Sequence, residues 1–174
     1  MNEAKLKIIR AKPNPAGKDT HRNHPLARQL QGEWVDLQNT SGQSLRLSGV
    51  SVDHIAFGDS CSNPRPDPYW VAPVGMVLAA GWILRIHTGK SSEQFHMSSE
   101  DRLGAEQHVW AEHGTFRLNN GACGDSLIVW FHDTAWHEID RAGYAPFPPE
   151  GVVLVRRGDQ LVPAGLAGAA GIAA

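Results

Sequence analysis

The chain has 174 residues, of which 41% are hydrophobic, and 16 Lys and Arg residues stand against 18 Asp and Glu residues for a net charge of -2. This length is enough for one domain with a substantial buried core. The near-neutral charge provides no general attraction to nucleic acid or to anionic membranes, so neither is expected as a partner.

Short runs that alternate apolar and polar residues predict β-strands in the first part of the chain. The first strand is expected over residues 4–11 and the second over residues 33–39, with Val35 and Leu37 on one face and Trp34 on the other. After further alternation, a proline-rich insert over residues 58–68 is expected to be a surface loop.

The clearest predicted strand is the run WILRIH at residues 82–87. Its alternation places the side chains of Trp82, Leu84 and Ile86 toward the core. Arg85 and His87 are then expected to face outward.

The second half of the chain begins with a long polar segment, residues 90–107, which is expected to be a loop that contains a helical turn. Beyond it the pattern of short apolar runs and turn residues resumes. Strands are expected at residues 109–110, 116–118, 126–131, 136–141 and 152–155, the last as an edge strand.

About eight short strands without long helical periods predict an all-β protein, an immunoglobulin-like antiparallel β-sandwich. The domain is expected to cover residues 1–160, and the Gly- and Ala-rich residues 161–174 are expected to be a flexible tail. The apolar face of these strands predicts a core built on Val35, Leu47, Leu84, Ile86 and Leu118.

Several motifs resemble the bacterial lamin-tail domain in their order and spacing. They are residues 32–39 (GEWVDLQN), 45–49 (LRLSG) and 78–89 (LAAGWILRIHTG), and the resemblance extends over roughly residues 6–144. Ala80 stands where the family has a turn proline. The resemblance implies a lamin-like immunoglobulin fold and a non-enzymatic accessory module, of the kind that accompanies secreted or surface hydrolases and nucleases in bacteria.

Nine histidines invite a metal hypothesis, because neutral imidazole is a common ligand of transition metals. The close pairs lack the HExxH or CxxC context of established metal sites. No GxSxG motif or glycine-rich phosphate loop is present. We therefore expect no metal, no cofactor and no catalytic residue. The close histidine pairs are His21 with His24, His108 with His113, and His132 with His137.

The two cysteines, Cys61 and Cys123, either form one disulfide or remain buried thiols, and their spacing does not decide between these states. Residues 1–5 (MNEAK) begin no apolar stretch that could serve as a signal peptide or a membrane span. The sequence by itself therefore predicts a cytoplasmic protein, and a secreted one if a longer precursor exists.

Six tryptophans raise the possibility of a binding surface, since exposed indoles stack on sugars or anchor protein partners. Trp34, Arg85, His87 and Trp110 are the candidate binding residues, as a mixed aromatic and polar patch on neighbouring strands. The alternative interpretation is that Trp34 and Trp110 fill gaps between the sheets or under the long loop.

The expected function is therefore a non-catalytic, lamin-tail-like binding or assembly module that mediates protein–protein interaction. One expected route is self-association through the edge strand at residues 152–155. A carbohydrate- or cell-surface-binding module is the alternative. A metal-dependent hydrolase built on the histidine pairs is the least favoured hypothesis.

Overall fold

The computed structural model describes residues 6–165, and its main feature within them is β-structure with short helical segments. The helix α1 spans Ala27–Gly32, and 3₁₀ turns occur at Asp59–Cys61, Ser91–His96 and Glu100–Arg102. The strands are β1 (Leu6–Lys12), β2 (Thr20–His21), β3 (His24–Pro25), β4 (Trp34–Asn39), β5 (Leu45–Arg46), β6 (Val50–Ala56), β7 (Arg65–Val71), β8 (Val77–Leu78), β9 (Ile83–His87), β10 (Gln107–Trp110), β11 (Asp125–His132), β12 (Trp136–Tyr144), β13 (Leu154–Arg157) and β14 (Gln160–Pro163).

Ten of these strands form one large sheet in the order β10-β9-β4-β1-β13-β14-β12-β11-β6-β7, which curls until it is nearly closed into a barrel. The pairs β2–β3 and β5–β8 form two small sheets beside it. The predicted all-β, sandwich-like fold is therefore confirmed. The sheet is mixed and not purely antiparallel, because β9 pairs with β10 and β12 pairs with β14 in parallel.

The apolar side chains point into the space that the curled sheet encloses. All five residues predicted for the core are buried, and they belong to one cluster that draws on strands from β1 to β14. The alternation that predicted the inner face is thus confirmed, because successive strand residues point to opposite faces of a sheet. Those five residues are Val35, Leu47, Leu84, Ile86 and Leu118.

An irregular segment, residues 111–118, runs from β9 to β7 and closes the gap that the curled sheet leaves between them. The N–H of Ala111 donates to the carbonyl of His87 (2.8 Å), and the side chain of His113 bonds the carbonyl of Tyr69 in β7 (2.8 Å). The strand predicted at residues 116–118 is therefore wrong, although Leu118 itself is buried. This segment satisfies its backbone through scattered partners instead of a ladder.

Four further expectations about the strands are wrong. Residues 152–155 do not form an edge, because β13 lies between β1 and β14. The proline-rich insert is only partly a loop, since β7 begins within it. The predicted tail begins too early, because residues 161–163 complete β14 and Leu161 is buried; residues 166–174 lie outside the described part of the chain. Trp82 is not in the core and is 45% exposed.

The two cysteines form a disulfide between Cys61, which precedes β7, and Cys123, which precedes β11. The same two regions also share hydrogen bonds, because Asp125 accepts the N–H of Ile55 (2.8 Å) and Asn119 donates to the Ile55 carbonyl (2.7 Å). The loop before β11 is thus fixed covalently and by hydrogen bonds. No helix in the described part of the chain combines the length and apolar character that crossing a membrane requires.

Candidate functional site

Three of the four predicted binding residues form a buried network on the outer face of β4 and β9. Asp36 accepts hydrogen bonds from Nε and a terminal nitrogen of Arg85 (2.7 and 2.8 Å). The Arg85 guanidinium also lies 3.6 Å from the centre of the Trp34 ring. Such a bidentate, stacked arrangement is specific to arginine.

Residues 88–106 cover this network. Arg85 donates to the carbonyls of Asp101 and Leu103 (both 2.9 Å), and Asp101 accepts from the Trp34 indole (2.8 Å) and the Lys12 ammonium (2.8 Å). Burial raises the pKa of Asp101, but the hydrogen bonds to its carboxylate outweigh burial and the net shift is downward. Network and covering segment therefore stabilise each other.

His87 continues the network toward Trp110. Its Nδ1 lies 2.6 Å from the Gln31 carbonyl oxygen, which can only accept, so Nδ1 carries the proton. Its Nε2 lies 2.9 Å from Nδ1 of His108, which then donates. Burial lowers the pKa of His87 to about 3, so this imidazole is neutral. The Trp110 ring stacks on His87 with centroids 5.8 Å apart and donates to the Gln31 side chain.

The structure thus brings the predicted residues together but contradicts their exposure. Trp34 and Arg85 are each 2% exposed, His87 is fully buried, and Trp110 is half-buried. Their outward direction was predicted correctly from the alternation, but residues 88–106 lie over Trp34 and Arg85. His87 is enclosed by Gln31, His108 and Trp110. The interpretation that Trp34 fills space under the long loop is confirmed. We call Trp34, Asp36, Arg85, His87 and Asp101 the covered network.

A second cluster of aromatic residues lies on the outer face of β6, β7, β11 and β12, and it is open. It forms a groove of about 470 Å³, within the size range of small-molecule sites. Trp136 is 62% exposed and Val71 is 64% exposed at its surface. We call this feature the aromatic groove; its lining residues are Gly49, Ser51, Asp53, Pro66, Pro68, Val71, Trp130, His132 and Trp136.

The rings of the groove contact each other closely. The centroids of Trp130 and Trp136 are 6.4 Å apart with planes at 84°, an edge-to-face contact. The His132 ring lies against Trp136, with centroids 4.6 Å apart and planes at 40°. Edge-to-face aromatic pairs are favoured geometries, so the rings hold each other in place.

The pairing of strands explains why these rings meet. The hairpin of β11 and β12 sets His132 directly opposite Trp136, and β11 sets Trp130 opposite Ser51 of β6. Gly49 has a positive φ of 84°, and a Cβ at this position would approach the carbonyl oxygen of His132 to 2.5 Å. Only glycine therefore lets β6 and β11 come together at this end of the groove.

Asp53 is the acidic group of the groove. Burial raises its pKa, while a hydrogen bond from the side chain of Trp130 lowers it in part. The lining residues in the described chain include no lysine or arginine. The groove therefore combines an apolar aromatic wall with a carboxylate, and it lacks the lysine or arginine side chains that commonly bind phosphate or sulfate.

A third unusual group is Glu33, which is buried where residues 111–118 close the barrel. Its Oε1 accepts from the Thr88 hydroxyl (2.7 Å) and from the N–H groups of Arg117 (2.8 Å) and Leu118 (3.3 Å). Its Oε2 is buried and has no hydrogen-bond partner among residues 6–165. Burial raises the Glu33 pKa to about 8, so the side chain is protonated at neutral pH.

The histidine pairs do not converge on a metal site. His21 and His24 face each other across the exposed β2–β3 hairpin, whereas His113 bonds a backbone carbonyl. His137 lies 3.2 Å from the exposed carboxylate of Asp133. Among residues 6–165, no group of three or more His, Cys, Asp or Glu side chains could hold a metal ion.

Sequence reasoning missed Trp130, His132 and Trp136 as surface residues. The sequence predicts strands at residues 126–131 and 136–141 but assigns none of these three side chains to a surface, although β11 and β12 form a hairpin. The sequence contained a signal for this surface in that hairpin. Pairing of the two strands around the turn at Asp133 places Trp136 opposite His132 near the strand ends.

No protein-family profile matches the chain, and no curated protein does.

Proposed function

We propose that this chain is a non-catalytic binding module of lamin-tail type and that its ligand contacts the aromatic groove. The observation that carries the proposal is the exposure of Trp136 on a sheet face, where it lies beside Trp130 and His132. Exposed aromatic side chains in a concave surface are the usual anchors of binding sites. The ligand class is left open by the lamin-tail resemblance: a protein partner is the expectation from the sequence, and a carbohydrate is its alternative.

The buried ionisable groups support a role without catalysis. Arg85 bonds Asp36 and lies under residues 88–106, whereas His87 bonds the Gln31 carbonyl and His108. Glu33 lies inside the closure of the barrel and not in the groove. Burial in the folded protein accounts for the shifted pKa values of these groups. Such shifts do not by themselves indicate an active site, because structural networks of buried groups also produce them.

The lamin-tail part of the proposal rests on the motifs, and the positions of their polar residues support it. Glu33 holds residues 117 and 118, as described above. Asn39 donates its side-chain amide to the carbonyls of Gln43, Leu78 and Ala79 (2.8, 3.0 and 3.0 Å). Both side chains fix loops, so the motif residues have roles in the fold that a shared fold would preserve.

The disulfide bears on the compartment in which the protein works. Disulfides persist in oxidising compartments and are rare in the cytosol. The pairing of Cys61 with Cys123 therefore supports the alternative of a secreted protein over the cytoplasmic expectation. Thiol titration of the denatured protein from its native source tests this, because two free thiols per chain would contradict it.

Peptide and glycan arrays probed with the labelled protein test the binding function. We expect ligands whose signal falls at least about tenfold in Trp136→Ala, because aromatic anchors dominate binding energy. Trp82→Ala is the matched control, since Trp82 is 45% exposed at another part of the surface. Blank arrays, or binding that Trp136→Ala leaves unchanged, would overturn the proposal.

A further inference from the structure

We propose that the aromatic groove binds an uncharged carbohydrate chain. This inference rests on the proposed function, because it names the ligand class of the same groove. It is carried by the aromatic faces, the polar groups beside them and the sign of the local charge.

The aromatic part of the groove suits the shape of a sugar ring. A pyranose has apolar C–H faces and a rim of hydroxyl groups, so it needs a flat apolar surface with polar groups at the side. The Trp136 indole provides the flat surface, and Trp130 and His132 hold it in place through ring contacts at 6.4 and 4.6 Å. A held side chain loses less conformational entropy when a ligand binds.

The polar part of the groove suits hydroxyl groups. Asp53 and Ser51 line the groove from β6, next to Trp130, which is opposite Ser51 in the strand pairing. A carboxylate accepts charge-assisted hydrogen bonds from hydroxyl donors. A purely apolar occupant would bury Ser51 and the part of the Asp53 carboxylate that Trp130 does not bond, which costs free energy. The groove is thus less suited to an apolar peptide segment than to a sugar.

The charge of the groove favours a neutral ligand. Asp53 is its acidic side chain, and lysine and arginine are absent from the lining residues of the described chain. Phosphate, sulfate and uronic acid groups would be repelled by Asp53. Single-stranded nucleic acid also stacks on aromatic rings, but its binding depends on a basic groove along the backbone.

A quaternary ammonium ion is the strongest competing ligand, because aromatic rings with a carboxylate attract cations. Cation cages place several ring faces around an empty centre. Here Trp130 and Trp136 contact edge to face, and His132 lies against Trp136. The rings pack on each other, so the open indole surface favours stacking on a flat ring over enclosure of a cation.

Isothermal titration calorimetry and tryptophan fluorescence test the inference on the full chain. The neutral probes are cellohexaose, chitohexaose and mannohexaose; the competitors are hexagalacturonic acid and choline. We expect at least one neutral oligosaccharide to bind more tightly than both competitors. Trp136→Ala should weaken its binding at least about tenfold, or about 1.4 kcal/mol, and Trp82→Ala should leave it unchanged.

Asp53→Asn sharpens the test, because it removes the charge and keeps the shape of the side chain. We expect the preference for neutral over anionic hexasaccharides to fall at least threefold in this variant. Circular dichroism and urea unfolding of each variant exclude a loss of fold as the cause. An unchanged preference would contradict the role of Asp53 in selecting against anions.

Failure of the inference is distinguishable from failure of the proposed function. If peptides bind with dependence on Trp136 while the three neutral oligosaccharides do not, the groove is a protein-binding site and the carbohydrate inference is wrong. If choline binds more tightly than every sugar, the inference is also wrong. If neither array nor titration detects any ligand, both proposals are wrong.

Discussion

The covered network and the aromatic groove are built from the same kinds of side chain on the outer face of the same sheet, yet one is buried and the other open. Trp34 is 2% exposed beneath residues 88–106, whereas Trp136 is 62% exposed. The difference lies in the covering segment and not in the strands. The covered tryptophan therefore stabilises the fold, whereas the open one is the one that we propose for binding.

The largest expected effect is the loss of Arg85 from the covered network. Arg85→Ala removes the bidentate partner of the buried Asp36 carboxylate, which keeps Arg10 as a cationic partner, and it empties the space of a buried side chain. We expect the free energy of unfolding to fall by about 3–5 kcal/mol. Urea denaturation measures it, with the exposed Arg46→Ala as control. A loss below about 1 kcal/mol would show that the network contributes little to stability.

Loss of the disulfide should have the next largest effect, on the side of the groove. Cys61 and Cys123 are 62 residues apart in sequence, and we expect the double Cys→Ser variant to lose about 2–4 kcal/mol of unfolding free energy. Hydrogen exchange should become faster in β7, which carries two prolines of the groove wall. Dithiothreitol should destabilise the wild type and leave the double variant unchanged; equal behaviour would contradict the prediction.

The buried ionisable groups predict a pH dependence of stability. The folded-state pKa of Glu33 is raised from 4.5 to about 8, so its contribution is present below pH 4.5 and is lost as the pH rises to about 8. The pKa of His87 is lowered from 6.5 to about 3, so its contribution is present above pH 6.5 and is lost as the pH falls toward 3. Between pH 4.5 and 6.5, a rise in pH therefore lowers the free energy of unfolding through Glu33 and raises it through His87.

Between pH 6.5 and 8 only the slope from Glu33 remains, and we expect the free energy of unfolding to fall by about 2 kcal/mol at roughly 1.4 kcal/mol per pH unit. Urea unfolding at the two pH values measures this fall. In Glu33→Gln, which is neutral at both, the fall should disappear. A wild type that is equally stable at pH 6.5 and 8 would mean that Glu33 is ionised in the folded protein.

The smallest expected effect on stability is that of Trp136→Ala, for which the buried Trp34 is the reference. Trp136→Ala should change the free energy of unfolding by less than about 0.5 kcal/mol, as exposed substitutions usually do. Trp34→Ala should cost about 3 kcal/mol, because it empties a packed site and removes the indole donor to Asp101. Similar losses in both variants would remove the distinction between the two regions.

Local alternation was sufficient to predict the inner face of the sheet. Val35, Leu84 and Ile86 are buried as expected, because the period of two is a property of each strand alone. The outward direction of Arg85 and His87 was also correct. Their burial was not predictable in this way, since it depends on residues 88–106, whose path over β9 is set by hydrogen bonds to distant residues.

The errors at the ends of the chain have a similar cause. Residues 152–155 have the composition of an edge strand, but β14 pairs beyond them and continues past residue 160. The parallel pairing of β10 with β9 is a long-range event that no local pattern encodes. For the groove, the hairpin of β11 and β12 was predictable, whereas the neighbouring β6 and β7 that complete it were not predicted as part of the same surface.

One consequence follows from the prolines at the end of the sheet. Pro66 and Pro68 lie in β7, the terminal strand of the ten-stranded sheet, and proline has no backbone N–H. Exposed terminal strands otherwise recruit strands of other molecules and start aggregates. The same two side chains that form a wall of the groove therefore also remove two backbone donors that a further strand would need to extend the sheet at this border.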